Sequence, residues 1–340
     1  MTATEKYLAM NNKKSNGQYF TVVNPFTEKP FLDWFNSIPV SKRSVLLEPF
    51  AGSNNIVKMI KDTVDNKAQW YCYDIQPSEV NVVPQLVVKQ RDTIENFPKE
   101  ISAQVAITNP PYLAKNSATR NGLPYKYPEY DDLYKKCLEV MLANCQYVAV
   151  IIPESFLTAN LFHDRLTAVI SLTCKMFNDT DCPVCLALFS PEETEDFDVY
   201  RQGNIKIGTF NSLSSHIVNC SYGKWKVNDK TGNIGIECCD DTRTESIRFI
   251  EGSKIDSDSI KVSSRSKTRV SGLPEGIDLN IFLARCNSIL SDYRKETQDV
   301  FLTSFKGLRA DHKYRRRLDF DTAKNIMSKA LKEIEDEKSV

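Results

Sequence analysis

Four consecutive residues, Asn109-Pro110-Pro111-Tyr112, have the chemistry to hold a planar amino group. Each proline fixes its own φ and lacks an N–H, and the residue before a proline is pushed toward an extended backbone. In this stiff segment the main-chain carbonyl of Pro110 and the side-chain carbonyl of Asn109 are both acceptors. Two such acceptors hold both hydrogens of one NH₂ group and let the nitrogen lone pair develop toward an electrophile. Tyr112 adds a flat ring on which a base can stack, worth roughly 1–3 kcal/mol.

An apolar run, QVAIT at residues 104–108, comes directly before this tetrapeptide and predicts a buried strand that ends at it. That position favours a functional interpretation over a plain proline-rich turn. Similar runs predict four more strands, at residues 44–50, 70–75, 84–92 and 147–153. Hydrophobic periodicity predicts helices at residues 27–38, 55–64, 131–143 and 161–168.

Strands that alternate with helices indicate an α/β fold with a mostly parallel sheet and right-handed crossovers. Two apolar runs, at residues 170–177 and 183–190, suit an antiparallel hairpin at one edge of that sheet. After Ser190 an acidic, proline-led linker follows and the alternation weakens. We therefore expect two domains, residues 1–195 and 196–340, the second ending in a charged, helix-like tail.

The loop after the first strand, EPFAGS at residues 48–53, is suited to a ligand at the carboxyl end of the sheet. Its small residues Ala51 and Gly52 let the backbone approach a ligand closely, and Glu48 can compensate a nearby positive charge. The glycines are too few for the dinucleotide fingerprint G-x-G-x-x-G. From the residues alone, a plain strand-to-helix turn remains an equal alternative.

Two acids end later strands. Asp74 lies at the end of the strand at residues 70–75 and is placed to accept hydrogen bonds from ribose hydroxyls, with Ile75 beside it to pack on a purine face. Asp92 ends the strand at residues 84–92 and can accept a hydrogen bond from an adenine amino group. For each of these acids taken alone, an exposed residue at the end of a strand, without a ligand, is the alternative interpretation.

These motifs together resemble one family. The order of GQYFT at residues 17–21, EPFAGS, and NPPY about sixty residues later is similar to the gamma-type N6-adenine DNA methyltransferases of restriction–modification systems. The resemblance covers about residues 15 to 190 and includes YVAVIIPESFL at residues 147–157. It implies a Rossmann-like class I methyltransferase sheet, a C-terminal α+β target-recognition domain, S-adenosylmethionine as the cofactor, and a target adenine flipped out of duplex DNA.

The resemblance also implies roles for individual residues. The cofactor would be bound by Tyr19, Phe20, Thr21, Glu48, Pro49, Phe50, Ala51, Gly52, Asp74, Ile75, Asp92 and Asn109. The target adenine would be held by Asn109, Pro110, Pro111, Tyr112 and Phe177, the last as a second aromatic for the flipped base. The sequence departs from the family at Asn54, where a second glycine is common. Asparagine tolerates a left-handed backbone, so the loop can keep its conformation. The hypothesis to test is that the affinity for the cofactor is weaker.

A basic region in the second half suits contact with DNA. Residues 261–317 contain 13 Lys and Arg against six Asp and Glu, mixed with Ser, Gly, Thr and Tyr that suit phosphate and base-edge contacts. A solvated charged face is the alternative. A polar segment after Tyr112 is expected to be a mobile loop that closes on the DNA. The expected DNA-contacting residues are Lys115, Arg120, Arg265, Lys267, Arg269, Lys306, Arg309, Lys313, Arg315 and Arg316.

Composition limits the remaining possibilities. Lys+Arg and Asp+Glu are both 44 among 340 residues, so net charge does not indicate a partner. The N-terminus lacks the apolar core of a signal peptide, and no apolar run approaches the roughly 18 residues of a membrane span. We expect a cytoplasmic monomer, double-stranded DNA as its partner and, from the resemblance, a cognate restriction endonuclease. Cys182 and Cys185 have half of a zinc spacing without a second half, so we expect no metal site.

Three other activities remain open. Protein-glutamine methyltransferases also use NPPY, because a glutamine amide presents the same planar NH₂, and ribosomal RNA adenine methyltransferases are a further candidate. A cytosine-N4 target usually goes with Ser in place of Asn109. A DNA-binding module without activity is the fourth alternative, and the intact Asn109 and Tyr112 argue against it.

Overall fold

The computed structural model describes residues 21–64, 67–178 and 181–338, with the side chain of Lys306 excepted. The chain divides into two compact units, Met1–Gly208 and Thr209–Val340. In the described part of the chain, no helix is both long enough and apolar enough to cross a membrane.

The first unit is built on one nine-stranded sheet. Its strands are β1 (Val45–Glu48), β2 (Gln69–Asp74), β3 (Val88–Gln90), β4 (Val105–Thr108), β5 (Tyr147–Pro153), β6 (Leu166–Leu172), β7 (Val184–Phe189), β8 (Asp198–Arg201) and β9 (Ile205–Thr209). They lie in the order β3-β2-β1-β4-β5-β7-β6-β8-β9. The five neighbouring strands β3, β2, β1, β4 and β5 are parallel to one another. Strand β7 is antiparallel to both of its neighbours, β5 and β6. The predicted Rossmann-like α/β sheet, mostly parallel with an antiparallel pair of β6 and β7, is confirmed.

Helices of the first unit are α1 (Lys29–Ser37), α2 (Val40–Arg43), α3 (Asn55–Thr63), α4 (Lys115–Arg120) and α5 (Leu133–Asn144). The predicted apolar face of α1 is confirmed, because Phe31, Trp34 and Phe35 are buried. The central strands β4 and β5 are buried along their whole length. This is why their sequences are continuous apolar runs rather than alternating patterns.

The prediction of a helix at residues 161–168 was wrong. Phe162 has φ 60°, in the left-handed region, and a short 3₁₀ turn, His163–Arg165, leads into strand β6. The β-branched residues Val169 and Ile170 in that strand fit a buried pleated surface better than a helix.

Two further expectations about the sheet need correction. The predicted antiparallel pairing of β6 with β7 is present, but β8 and β9 lie beyond β6, so the pair is not at the sheet edge. Those two strands extend the same sheet, and the first compact unit runs to Gly208, whereas the domain boundary expected from the sequence is near residue 195. Strand β3 covers only Val88–Gln90 of the expected residues 84–92.

The second unit combines two small antiparallel sheets with helices. One sheet contains β10 (Lys226–Val227), β11 (Ile234–Glu237), β12 (Arg248–Glu251) and β13 (Lys267–Ser271), in the order β10-β13-β11-β12. The other is a hairpin of β14 (Thr303–Leu308) and β15 (Tyr314–Arg317). The helices are α6 (Phe210–Ser214), α7 (Leu279–Thr297) and α8 (Phe320–Lys338). Ile236, Phe282 and Met327 lie in its buried core.

Candidate active site

One cleft lies at the carboxyl ends of β1, β2 and β4. Because these neighbouring strands are parallel, the side chains that follow them meet at one edge of the sheet. The cleft contains residues from all three strand ends and from the N-terminal segment: Thr21, Glu48, Phe50, Ala51, Gly52, Asn55, Ile56, Asp74, Ile75, Gln76, Ser78, Asn109, Pro110 and Pro111. The expected Tyr19 and Phe20 lie outside the described residues. Pro49 is buried beneath the cleft, where its carbonyl accepts a hydrogen bond from Thr93 Oγ1 at 2.9 Å.

Asp74 fastens the loop after β1 to the end of β2. Its Oδ2 accepts a hydrogen bond from the Gly52 N–H at 2.8 Å, and its Oδ1 accepts one from Gln76 N–H at 2.8 Å. Gly52 has φ 49°, a left-handed backbone that glycine adopts at little cost. Asp74 therefore orders the cleft wall.

Glu48 is a buried carboxyl with one oxygen unpaired. Its Oε1 accepts hydrogen bonds from Thr108 Oγ1 and from the Phe50 N–H, while Oε2 is buried and has no partner in the described structure. Burial raises the pKa of Glu48 to about 8; the two hydrogen bonds oppose that rise and the Asp74 charge adds to it. Thr21 Oγ1, also in the cleft, is likewise buried without a partner. Unpaired buried acceptors are costly and mark a place where a donor group of a ligand fits.

A second, mostly apolar compartment adjoins this cleft and shares Phe50, Ile75 and Pro111 with it. Its other lining residues are Arg91, Asp92, Thr93, Ile94, Leu113, Pro124, Tyr125, Lys126, Tyr127 and Leu133. Asp92 Oδ1 accepts main-chain hydrogen bonds from Ile94 at 3.2 Å and Glu95 at 3.3 Å. The compartment is thus a slot with mostly apolar walls, one acid, Asp92, and two cations, Arg91 and Lys126.

The segment after Tyr112, where a mobile loop is expected from the sequence, contains α4. The covering segment, residues 123–127, follows and lines the second compartment through residues 124–127. Glu95 holds this covering segment, because its Oε1 lies 2.8 Å from Lys126 Nζ and accepts a hydrogen bond from the Tyr127 hydroxyl at 2.5 Å. Sequence reasoning missed Glu95 and Tyr127; the only signal for Tyr127 is a tyrosine- and lysine-containing stretch close after NPPY.

The aromatic residues expected to hold a base lie next to one another, but they are buried. The Tyr112 ring lies edge-on to Tyr134 at 6.3 Å and to Phe177 at 6.1 Å between centroids. Tyr112 is 7% exposed and Phe177 is fully buried. The main chain of Phe177 pairs with Thr21 in an isolated bridge. Stacking of a base on either ring therefore requires a movement from the state observed.

The Tyr112 hydroxyl has two acceptors within reach. It is hydrogen-bonded to Asn109 Oδ1 and lies 2.7 Å from the carbonyl oxygen of Ile151. A phenol has one hydrogen to donate, so the two acceptors compete for it. Burial raises the pKa of Tyr112 well above its ordinary value, and the group is therefore a neutral donor at physiological pH.

The basic residues expected at DNA fall into two groups. Lys115, Arg120, Arg265 and Lys267 are exposed, and Lys267 Nζ lies 3.4 Å from Glu237. Three further side chains are partly exposed: Arg269, Lys313 and Arg315. Arg309 and Arg316 are different, with exposures of 3% and 8%.

Arg309 is engaged with acids inside the second unit. Its Nη1 lies 2.9 Å from Asp240 Oδ2, and its Nη2 lies 2.8 Å from Asp311 Oδ2. Arg316 Nη1 donates to Ser304 Oγ at 2.5 Å. A guanidinium already buried on carboxylates is unavailable to phosphate, so Arg309 serves the structure of the unit. Arg316 is buried against Ser304.

No protein-family model matches the sequence, and no curated protein matches it either. Solved structures similar to part of it include the methyltransferase subunit of a type I restriction-modification system from Streptococcus thermophilus, with 15% identity over 56% of this chain and 50% of that chain, at a TM-score of 0.40. Two others are the type IIG restriction endonuclease BpuSI (15% identity, 56% of this chain and 28% of that chain, TM-score 0.41) and DrdV in complex with DNA (12% identity, 60% and 29%, TM-score 0.41).

This chain thus spans half the length of the first of these proteins and less than a third of the other two. At TM-scores below 0.5, these similarities do not establish what the chain binds or modifies.

Proposed function

We propose that this protein is a site-specific DNA methyltransferase that moves a methyl group from S-adenosylmethionine to the exocyclic N6 of an adenine flipped out of duplex DNA. One observation carries the proposal. Asn109-Pro110-Pro111-Tyr112 directly follows the central strand β4 and opens into the cleft that contains Glu48, Gly52 and Asp74. A rigid pair of acceptors for a planar amine therefore adjoins a compartment suited to a nucleoside with a charged tail.

The cleft fits the proposed cofactor on two grounds. The unpaired oxygens of Glu48 and Thr21 suit its ammonium group, and the apolar slot with Asp92 suits an adenine ring and its amino group. Asp74, at the junction, would take ribose hydroxyls. When bound, the cofactor supplies an electrophilic methyl group on a sulfonium that is already a good leaving group.

Asn109 and the Pro110 carbonyl would accept the two hydrogens of the adenine amino group and direct its nitrogen at the methyl group. For this, Asn109 Oδ1 must be released by the Tyr112 hydroxyl. The carbonyl of Ile151 is the alternative acceptor, 2.7 Å away, to which that hydroxyl can donate instead. Tyr112 and Phe177 would then move to take the base between or beside their rings, which offsets part of the few kcal/mol that base extrusion costs.

Exposed basic side chains would contact the phosphates, namely Lys115 and Arg120 after the catalytic segment and Arg265, Lys267, Arg269, Lys313 and Arg315 in the second unit. Arg309 and Arg316 are left out because they are buried. We propose, from the family resemblance, that the protein acts as a monomer within a restriction–modification system.

Transfer of a labelled methyl group tests the proposal. Purified protein is incubated with labelled S-adenosylmethionine and, separately, duplex DNA, structured RNA or a protein extract, and the products are digested for mass spectrometry. N6-methyladenine in DNA is the expected product. Label found mainly in RNA adenine or in glutamine amides would show that RNA or protein, rather than DNA, is the substrate. No transfer to any of them, with a folded protein, would contradict the proposal.

A further inference from the structure

Asn54 is the last residue of the glycine loop, residues 51–54, and has an uncommon backbone conformation. Its backbone is left-handed, with φ 64° and ψ 26°, and its side chain is fully buried. The side-chain Nδ2 donates to Asn81 Oδ1 at 3.0 Å. Asn81 in turn donates to the Leu86 carbonyl at 2.6 Å and accepts from the Val83 N–H at 3.0 Å. Asn54 is therefore the anchor of a small hydrogen-bonded turn between β2 and β3.

That turn belongs to a wall of the cleft. Gln76 and Ser78 line the cleft. The chain from them to Leu86 is held by the Asn54–Asn81 pair and, at its far end, by Asn81 Nδ2 (2.6 Å) and Asn54 Nδ2 (3.5 Å) on the Leu86 carbonyl. A main-chain hydrogen bond from Val82 N–H to the Ser53 carbonyl, 3.0 Å long, lies next to it. The Asn54 side chain and this main-chain hydrogen bond thus join the glycine loop, residues 51–54, to the wall at residues 76–86.

We propose that Asn54 is a positioning residue for cofactor binding, which holds the 76–86 wall against the glycine loop before the ligand arrives. The inference rests on the proposed function. It replaces the expectation that asparagine at this position weakens cofactor binding. A glycine supplies the same left-handed backbone but no donor for Asn81.

The energetic reason is the ordering of the wall. Asparagine adopts the left-handed region more readily than most residues, so the backbone cost at Asn54 is small. Without its amide, the 76–86 wall would have to be ordered when the ligand binds, and that cost would be subtracted from the affinity. Loss of one neutral hydrogen bond of ordinary strength corresponds to a Kd about fivefold higher.

A double-mutant cycle tests the pair. Asn54→Gly keeps the backbone and removes the amide, and Asn81→Ala removes its partner. Titration calorimetry with S-adenosylmethionine should give a Kd about fivefold higher for each single variant, and the double variant should be little worse than either. Initial rates should show a raised KM for the cofactor with kcat unchanged. Hydrogen exchange at the Val82 and Val83 amides should be faster in Asn54→Gly.

Asn228 is a matched control. It too is a left-handed asparagine, with φ 56°, and its side chain bonds Val262 and Thr268 in the second unit. Asn228→Gly should lower thermal stability while leaving the cofactor Kd unchanged. Undiminished binding in Asn54→Gly, or additive effects in the cycle, would overturn the inference alone. Absence of S-adenosylmethionine binding by the wild type would overturn the proposed function and the inference together.

Discussion

Asp240 and Arg309 form an ion pair in which both side chains are almost wholly buried, at 0% and 1% exposure, with 2.9 Å between Oδ2 and Nη1. Asp240 also accepts two hydrogen bonds from Arg294, at 2.9 and 3.0 Å. Burial alone would raise the pKa of Asp240, but the hydrogen bonds and charge of Arg294 bring it below its ordinary value. The pair connects the loop of the β14–β15 hairpin to the segment after β11.

Arg309→Ala should therefore be a stability variant. An uncompensated buried charge costs about 3–5 kcal/mol; the loss should be smaller here, because Asp240 keeps Arg294 as a guanidinium partner. Urea unfolding would measure this loss. Lys313→Ala is the control on the same hairpin, because Lys313 is half-exposed and 4.0 Å from Asp311, a contact worth about 0–1 kcal/mol. An Arg309→Ala protein as stable as wild type, with reduced DNA affinity only, would restore the phosphate contact expected from the sequence.

Glu48→Gln should separate stability from cofactor affinity. The folded-state pKa of Glu48 is raised to about 8, so the folded protein holds this proton more tightly than the unfolded chain does. Its free energy of unfolding is therefore reduced as pH rises from about 4.5 to about 8. Glutamine does not titrate, so the variant should gain thermal stability relative to wild type across that window.

The same substitution should weaken cofactor binding about 10- to 100-fold at pH 8, because a charged hydrogen bond to the ligand ammonium is lost. Wild-type affinity should increase as pH approaches 8, since more Glu48 is ionised, and the affinity of the variant should not follow. Comparing the two cancels the titration of the ligand's own amino group. Equal pH profiles of Kd in calorimetry would show that Glu48 does not face the ammonium.

The sheet was predictable because its strands carry local signals. The strand at residues 147–153 has the bounds that the structure shows, since every residue in it is buried and apolar or small. The cluster of Glu48, Asp74 and Asn109 followed from strand ends that meet at one edge of a parallel sheet. The helix at residues 161–168 failed because periodicity in a short apolar run does not distinguish a helix from a buried strand.

The burial of Arg309 could not be predicted in the same way. Its partner Asp240 is 69 residues away in the sequence, and a run of arginines has the same appearance whether it faces phosphate or a buried acid. The enclosure of Tyr112 by Phe177 and Tyr134 is likewise a tertiary contact with no local signal. Such long-range contacts decide whether a side chain is buried for structure or available for function, and the local sequence does not show them.

Glu95→Gln should speed cofactor release. Hydrogen bonds from Lys126, and then from Tyr127, hold the pKa of Glu95 below its ordinary value, and they fasten the covering segment at residues 123–127. Glutamine weakens both, so stopped-flow dissociation of a fluorescent cofactor analogue should be about two- to fivefold faster. Asp62→Asn removes a comparable exposed pair, with Lys58 at 2.6 Å, and should leave the rate unchanged. Equal rates in Glu95→Gln and wild type would mean that this segment does not limit release.

Asn109→Ala should abolish methyl transfer while cofactor binding persists. The variant loses the acceptor that directs the amino nitrogen, an interaction made with the reacting group, so kcat should fall by about 10²–10³ or more. The Kd for S-adenosylmethionine, measured by calorimetry, should change little because Asp74 and Glu48 are intact. Asn36→Ala, an exposed asparagine on α1, is the control and should have wild-type turnover. Near-normal turnover by Asn109→Ala would remove the basis of the proposed chemistry, whereas a loss of cofactor binding would assign Asn109 mainly to the cofactor.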